Sequence, residues 1–485
     1  MYIINFFVSS LPFVTLLNIL LAITIIFLER RNAATTWAWL LILFFIPVLG
    51  FILYIFFGQN LSRRRIFNLN TELTAQLRKE IKGQKELLDR NSFQFNHPTL
   101  QEYRSTIYLN LINGYGVLTQ DNGVEIYTDG AAKFKALFEK IREAKDHIHM
   151  QYFIFKNDVL GKKVVQALAA KAREGVEVRL LYDAMGSSRV PGRFFKPLRE
   201  AGGKVAAFFP SLFFPFINYR INYRNHRKIV VIDGEYGFVG GYNVGKEYIG
   251  LKKKFGFWRD THLLIHGSAV ESLQSRFFLD WNNASSDKLE FDLRYFPEKT
   301  YTGNIPIQIV SSGPDSEWEQ IKNGIIKMIY SAEKSVYIQT PYFVPDESLM
   351  HALRIAALSG IDVRIMIPNQ PDHIFVYWAS FSFIGELLDI GVKCFIYENG
   401  FIHAKMLVVD GKVASVGTTN FDIRSFKLNF EVNAFIYDTN VAGQLYSIYE
   451  RDLLKSREMT YEMYRNRSLI IKFKESISRL LAPIL

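Results

Sequence analysis

A single cysteine in 485 residues excludes an intramolecular disulfide framework. It is Cys394, inside the apolar run GVKCFIY, and it reads as a buried strand residue. Charge is absent from residues 1–28 and again from 32–62. These stretches also lack the basic start, short apolar region and small-residue cleavage site of a secretory signal peptide. Each is instead long enough to cross a bilayer, which takes about 20 apolar residues. LPFVTLLNILLAITIIFL fills 11–28, and WAWLLILFFIPVLGFILYIFFG lies at the heart of the second stretch. Residues 1–62 are therefore expected to form a two-span membrane hairpin. Only Glu29-Arg30-Arg31 separates the spans, whereas Arg63-Arg64-Arg65, Arg78, Lys79, Lys82 and Lys85 follow them. The positive-inside bias then puts the rest of the chain on the cytoplasmic side. Trp37 and Trp39 fit either an interfacial aromatic belt or core packing.

What is present in quantity is apolar and basic. Hydrophobic residues make up 49% of the chain and aromatics 15%, core material for the two or three units that this length implies. Lys and Arg number 58 against 47 Asp and Glu, and the net charge of +11 favours an anionic partner, either lipid headgroups or nucleic acid. Residues 63–120 are polar and mixed in charge, and ELTAQLRKEIKGQKELLDR reads as a solvated helical linker. From GVEIYTDG at 123 onwards short apolar strands alternate with helical segments, the pattern of a layered α/β domain. The order of elements then repeats. AKFKALFEKIREAKDHIHMQYFIF (132–155) has the helix-then-strand shape of EQIKNGIIKMIYSAEKSVYIQTPYFV (319–344). GVEVRLLYD (175–183) is echoed by GIDVRIMIP (360–368), and GGKVAAFFP (202–210) by GVKCFIYEN (391–399). The expected fold is a duplicated α/β unit, with copies at 121–300 and 301–485.

Each copy closes on a histidine segment: NHRKIVVIDGEYGFVGGYN (225–243) and IHAKMLVVDGKVASVGTTN (402–420). Counted from His226 and His403, lysine follows at +2 (Lys228, Lys405), aspartate at +7 (Asp233, Asp410), glycine at +14 (Gly240, Gly417) and asparagine at +17 (Asn243, Asn420). One His-x-Lys on a strand has a bland surface explanation; two copies sharing five positions do not. HRKIVVID and HAKMLVVD read as strands running into an Asp-Gly hairpin turn. Alternation puts His226 with Lys228, and His403 with Lys405, on one face. Asp233 and Asp410 have the opposite parity and begin the turn, so they either shape the hairpin or touch substrate.

Two imidazoles, two ammonium groups and two carboxamides in one cleft suit a tetrahedral oxyanion. The lysines and asparagines can neutralise and hydrogen-bond phosphoryl oxygens without a metal. One imidazole can attack phosphorus while the other protonates the leaving oxygen. Each needs an acceptor on its other nitrogen, and Asp260 in FWRDTH and Glu431 in NFEVNA are the candidates. A zinc reading of the histidines lacks the usual His/Cys/carboxylate ligand set, so no metal is expected.

The pattern HxKxxxxD followed by GxxN, present twice, resembles the phospholipase D superfamily over residues 120–485. The segments FFPFINYRINYRNHRKIVVIDG, FVGGYNVGKEYIG and FIHAKMLVVDGKVASVGTTNFDIRSFKLNFEVN, with the N-terminal IPVLGFILYIFFG, look like those of the bacterial cardiolipin synthases. The resemblance implies a duplicated phospholipase D-like mixed-sheet sandwich flanked by helices, working without a cofactor in a bacterial cell membrane. It implies transfer of a phosphatidyl group from one phosphatidylglycerol to the hydroxyl of another, releasing glycerol. By the same analogy His226 is the nucleophile and His403 the acid and then the base. Lys228, Lys405, Asn243 and Asn420 map onto phosphate-binding positions, and Asp233 and Asp410 complete the catalytic motifs. The second motif reads Gly417-Thr418-Thr419-Asn420 where relatives often have serine, which keeps a hydroxyl.

Two further stretches suit a lipid partner. FFPSLFFPFINYR (208–220) is too aromatic for a solvated loop and either enters the bilayer surface or is buried. LIIKFKESISRLLAPIL (469–485) reads as an amphipathic interfacial helix or a core-packing one. The same site with another acceptor would be a phospholipase D (water), a phosphatidylserine synthase (serine) or a nuclease (polynucleotide). The expected partners are phosphatidylglycerol and the bilayer rather than nucleic acid, because the expected spans tether the site where the nearest phosphodiesters are lipids. A scaffold that only binds anionic lipid is the reading from another class, and two intact motifs argue against it.

Overall fold

The computed structural model describes residues 2–27, 33–57, 67, 72–210, 222–316 and 318–482. It has two compact units, Met1–Arg64 with Pro210–Tyr223, and Arg65–Phe209 with Arg224–Leu485.

In the first unit the leading apolar stretch is one helix, Tyr2–Phe27. The second stretch is broken before Pro47, which lacks an amide donor and disfavours helical geometry in the residue ahead of it. It becomes Ala33–Phe45, of 13 residues, and Pro47–Phe57, of 11. Among the described residues no helix is long and apolar enough to cross a membrane. The expected two-span hairpin is thus not observed as two full spans. Trp39 packs edge-on against Tyr54 beside buried Ile25 and Leu43, while Trp37 stays exposed. Of the aromatic stretch 208–220, residues 211–220 lie outside the described residues.

The second unit holds both α/β copies. The first supplies β1 (Leu118–Asp129), β2 (His147–Tyr152), β3 (Glu177–Asp183), β4 (Lys204–Phe208), β5 (Arg224–Asn225), β6 (Ile229–Ile232), β7 (Tyr236–Gly240) and β8 (Trp258–His266). The second supplies β9 (Ile305–Ser312), β10 (Ser335–Gln339), β11 (Phe343–Val344), β12 (Asp362–Pro368), β13 (Lys393–Tyr397), β14 (Phe401–Ile402), β15 (Met406–Val409), β16 (Val413–Gly417), β17 (Phe421–Asp422), β18 (Asn429–Ile436) and β19 (Ser456–Met459). The first sheet runs β4-β3-β2-β6-β7-β8-β1. The second repeats it as β13-β12-β10-β15-β16-β18-β9, with β19 added at the edge. In each, three parallel strands meet an antiparallel meander, so both sheets are mixed. Long β1 pairs with β8 along one part and with β9 along the other, which joins the sheets.

Alternation along the strands builds the layers. Ile229 and Val231 of β6 pack inward with Met406 and Val408 of β15, so the two sheets share one core. Val230 and Ile232 point the other way, under helices Gly130–Glu143 and Val159–Arg173. Helix Glu72–Asp89 departs from the expected solvated linker. In helix Glu72–Asp89, Leu73, Leu77, Ile81 and Leu88 form an apolar stripe, and Ile81 and Leu88 join the second copy's core with Ile107 and Leu111. Cys394 is buried on β13, and burial pushes its thiol up.

Candidate active site

The Asp-Gly turns come first. Asp233 and Gly234 have φ of 53° and 68°, and Asp410 and Gly411 have 55° and 63°, the left-handed pairs that close a tight hairpin. Asp233 accepts from the amides of Lys145, Asp146 and His147 at 2.8, 2.8 and 3.0 Å. Asp410 does the same for Glu333, Lys334 and Ser335 at 2.9, 2.8 and 2.7 Å. Each aspartate therefore ties its hairpin to the start of the neighbouring parallel strand, β2 or β10. Neither lines the cavity that holds the histidines. The grouping of Asp233 and Asp410 with the catalytic residues is corrected accordingly: their opposite parity aims them at backbone.

Two short parallel bridges, β5 with β18 and β14 with β8, join the copies across the cleft. They continue as matched hydrogen bonds, His226 N to Phe430 O at 2.9 Å and His403 N to Arg259 O at 2.6 Å. Both histidines thereby line one cavity of about 460 Å³, together with Asn243 and Asn420.

The carboxylates cross over. His226 Nδ1 lies 2.9 and 3.0 Å from the two oxygens of Glu431, in the other copy. His403 Nδ1 lies 2.6 Å from Asp260 Oδ2, again in the other copy. Both acceptors are fully buried, so each Nδ1 carries the hydrogen and each Nε2 keeps its lone pair. Glu431 also accepts from Thr418 Oγ1 and from Asn429 Nδ2. Gly241 runs so close to Asp260 that a Cβ there would overlap the carboxylate.

Lys228 and Lys405 are buried below the histidines and donate to the carbonyls of His226 and His403. Lys405 Nζ is also 2.8 Å from His403 Nδ1, but a nitrogen that donates to Asp260 has no lone pair to offer it. Asn243 Oδ1 accepts from Ile154 N at 3.1 Å, and its Nδ2 donates to Tyr248 Oη at 3.1 Å. Asn420 Oδ1 has no protein partner among the described residues.

Burial governs the ionisation. It pushes His226 down to about 4 against the pull of Glu431, and His403 down to about 4 with Lys405 acting the same way and Asp260 opposing. Burial lowers Lys405 to about 8 and Lys228 well below its ordinary value. Burial works against the Glu431 carboxylate too, yet His226, Lys228 and Thr418 hold it below the usual carboxylate range. The cleft is thus a cluster of cations and imidazoles whose charges a bound phosphodiester anion would restore.

Sequence reasoning missed two guanidiniums beneath the site. Arg227 donates to Glu431 O at 3.0 Å and to Asp280 at 2.7 Å. Arg259 donates to Asp260 O and, at 2.8 Å, to Asp452. One follows a histidine where the second copy has Ala404; the other precedes a carboxylate where the second copy has Phe430. Both arginines lie in the first copy and the second has none at either offset, so the repeat carried no signal for them. Also unforeseen are the cavity residues Arg224, Arg424, Tyr248, Trp258, Tyr342 and Asp372. Among the described residues no group of three or more His, Cys, Asp or Glu could hold a metal ion.

Duplicated mixed sheets that meet at a paired His–Lys cleft make this a phospholipase D-like enzyme. The family described as "Cardiolipin synthase, PLD-like domain" matches residues 137–270 and 325–453, and "Phospholipase_D-nuclease N-terminal" matches 16–59. The major cardiolipin synthase ClsA of Bacillus subtilis (strain 168) is 58% identical over 97% of this chain and 98% of its own. A cardiolipin synthase of Listeria monocytogenes is 53% identical over the same shares. The crystal structure of a phosphatidylserine synthase from Haemophilus influenzae Rd KW20 shares the fold, with TM-score 0.62 at 15% identity, covering 80% of this chain and all of that one. The chain belongs to the cardiolipin synthase family of phospholipase D-like proteins.

Proposed function

We propose that the chain is a cardiolipin synthase that moves a phosphatidyl group between two phosphatidylglycerol molecules. The observation that carries this reading is the crossed pair of carboxylates, which leaves two Nε2 lone pairs in one cavity. His226 Nε2 attacks phosphorus, the bond from phosphorus to the glycerol oxygen breaks, and His403, protonated once the anion is bound, gives that oxygen its proton. Glycerol leaves and a phosphatidyl-histidine remains. His403, now neutral, takes the proton from a hydroxyl of the second phosphatidylglycerol, whose oxygen attacks phosphorus as the nitrogen–phosphorus bond breaks. Lys228, Lys405, Asn243 and Asn420 offset and orient the phosphoryl charge in both steps.

A lipid substrate is supported by the cavity surroundings. Ile374 and Phe375 line the cavity and are exposed, and Ala482, just past helix Leu469–Leu480, lines it as well. That helix exposes Leu469, Ile470, Phe473 and Leu480, an apolar face suited to a bilayer surface. Residues 1–62 are proposed to anchor the chain in a bacterial cell membrane as a two-pass hairpin with the remainder cytoplasmic. The exposed Phe13, Phe44 and Phe45 and the arginines at 63–65 support this.

The test is purified protein in phosphatidylglycerol bilayers without added metal, following cardiolipin and glycerol, beside His226→Ala and His403→Ala. Both products should appear together in wild type and vanish in each variant. Phosphatidic acid in their place would make water the acceptor and end the synthase reading.

A further inference from the structure

We infer that Arg224 and Arg424 bind the phosphate of the accepting lipid, the one that does not react, and thereby select an anionic acceptor over free glycerol or water. The inference rests on the phosphatidyl transfer proposed above. The cleft is symmetric at its centre and asymmetric at its two ends. At one end the bridge between copies pairs Phe401 with Trp258, and the Tyr248 ring packs on Trp258 at 4.8 Å. At the equivalent end the bridge pairs Arg224 with Asn429. Position by position, Arg224 stands two before His226 where the second copy has Phe401, and Asn429 two before Glu431 where the first has Trp258. Arg424 stands four after Asn420 where the first copy has Glu247. One end of the cleft is therefore aromatic and the other cationic.

Arg224 and Arg424 both line the cavity. Burial pushes Arg224 down to about 10, with Asp183 opposing and Arg424 adding to the effect, so two like charges lie within reach of each other. Asp183 and Asp422 lie near these arginines and act against the lowering. Asp183 accepts from the amides of Met185, Gly186 and Asn225 at 3.0, 2.8 and 2.8 Å. Asp422 accepts from Ser425 N at 2.5 Å. Burial raises both to about 6.

The reaction supplies an anion of the right kind. An accepting phosphatidylglycerol carries its hydroxyl at one end of a glycerol and its own phosphodiester at the other. Six bonds of about 1.5 Å in zigzag separate the two phosphorus atoms of the product by roughly 7 Å. Arg224 is two residues before His226, and in extended chain that spacing puts two residues on the same face with Cα atoms about 6.6 Å apart. Guanidinium groups bind phosphate through two parallel hydrogen bonds, a geometry that a glycerol hydroxyl cannot reward. The released glycerol, lacking a phosphate, is then a poor acceptor for the reverse reaction.

The experiment compares acceptors for the full-length protein in phosphatidylglycerol bilayers. Wild type, Arg224→Gln, Arg424→Gln and Arg424→Lys are assayed for cardiolipin, for exchange of labelled glycerol into phosphatidylglycerol, and for transfer to soluble glycerophosphoglycerol. The glutamine variants should lose about 10- to 100-fold in cardiolipin and glycerophosphoglycerol transfer, with glycerol exchange within about twofold of wild type. Arg424→Lys should lose less, on the same two acceptors only, and it decides the matter if a glutamine variant does not fold. Equal loss on all three acceptors, or no loss on any, overturns the inference. Sparing of glycerophosphoglycerol alone also overturns it, because the arginines would then sense acyl chains. Wild type that makes neither cardiolipin nor exchanged lipid would instead sink the proposed transfer itself.

Discussion

Replacing Glu431 by glutamine should disable a histidine that belongs to the other copy. The carboxylate sits 2.9 and 3.0 Å from His226 Nδ1, where it can only accept, so the imidazole holds its hydrogen there and its lone pair at Nε2. A carboxamide fills the same space but can present an N–H. The ring then turns over its tautomer and offers an N–H, not a lone pair, to phosphorus. Loss of a correctly set base or nucleophile costs about 10²- to 10⁴-fold, or about 3 to 6 kcal/mol of barrier at about 1.4 kcal/mol per factor of ten. The assay is a phosphatidyl ester of p-nitrophenol, whose leaving group departs without an acid. Wild type should release a burst of nitrophenolate equal to the enzyme as the covalent intermediate forms. Glu431→Gln should abolish the burst, whereas Asp260→Asn should keep it and slow only the later turnover, since His403 is not needed for that departure. The opposite pattern, with Asp260→Asn losing the burst and Glu431→Gln keeping it, would refute both the crossed pairing and the assignment of His226 as nucleophile.

Other expectations follow from the same geometry. Asp233→Ala removes an acceptor from three backbone amides and places alanine at φ 53°, so stability should fall by about 2 kcal/mol while kcat of the folded fraction stays within about threefold; a large kcat loss at unchanged Tm would return Asp233 to the chemistry. Lys405, lowered to about 8, loses its charge as pH rises, so kcat/KM should decline as pH rises through about 8, and Lys405→Arg should move that limb upward. His226 and His403 titrate near 4 when folded and near 6.5 when unfolded. The unfolded chain therefore binds more protons between those values, and stability that is complete above pH 6.5 should be lost towards pH 4, by up to about 3 kcal/mol per histidine. Denaturation curves at pH 7.5 and 5 should converge in a His226→Gln/His403→Gln double variant. Gly241→Ala should push the Asp260 carboxylate off His403 and cost at least about 10²-fold in cardiolipin formation with little loss of lipid binding.

Much of the site was legible because duplication turns spacing into a measurement. The histidines, lysines and asparagines recur at equal offsets, and strand alternation alone puts each His and Lys on a common face. Parity also gave warning that Asp233 and Asp410 belong to the turns, a warning that the motif's usual grouping obscured. The crossing of Glu431 to His226 and Asp260 to His403 was not legible, because no local pattern says which copy supplies a partner. That depends on the bridges β5–β18 and β14–β8, each only two residues long. The burial of helix Glu72–Asp89 was missed for a different reason. The apolar stripe Leu73, Leu77, Ile81 and Leu88 is narrow among many charges and shows its purpose only against the second core. In the N-terminal region, overall hydropathy suggested two spans, and Pro47 breaks the second into two shorter helices.

The crossed carboxylates also set a time at which the chain can first react. A growing polypeptide that has folded only its first copy presents His226 without Glu431, two hundred and five residues further on. Its imidazole has no fixed tautomer, and no partner histidine stands opposite. On the proposed mechanism, the first copy of a half-made chain would therefore leave phosphodiesters intact. On that mechanism reactivity arrives only when β18 of the second copy closes against the first, so completion of the fold would serve as the safety catch of the enzyme.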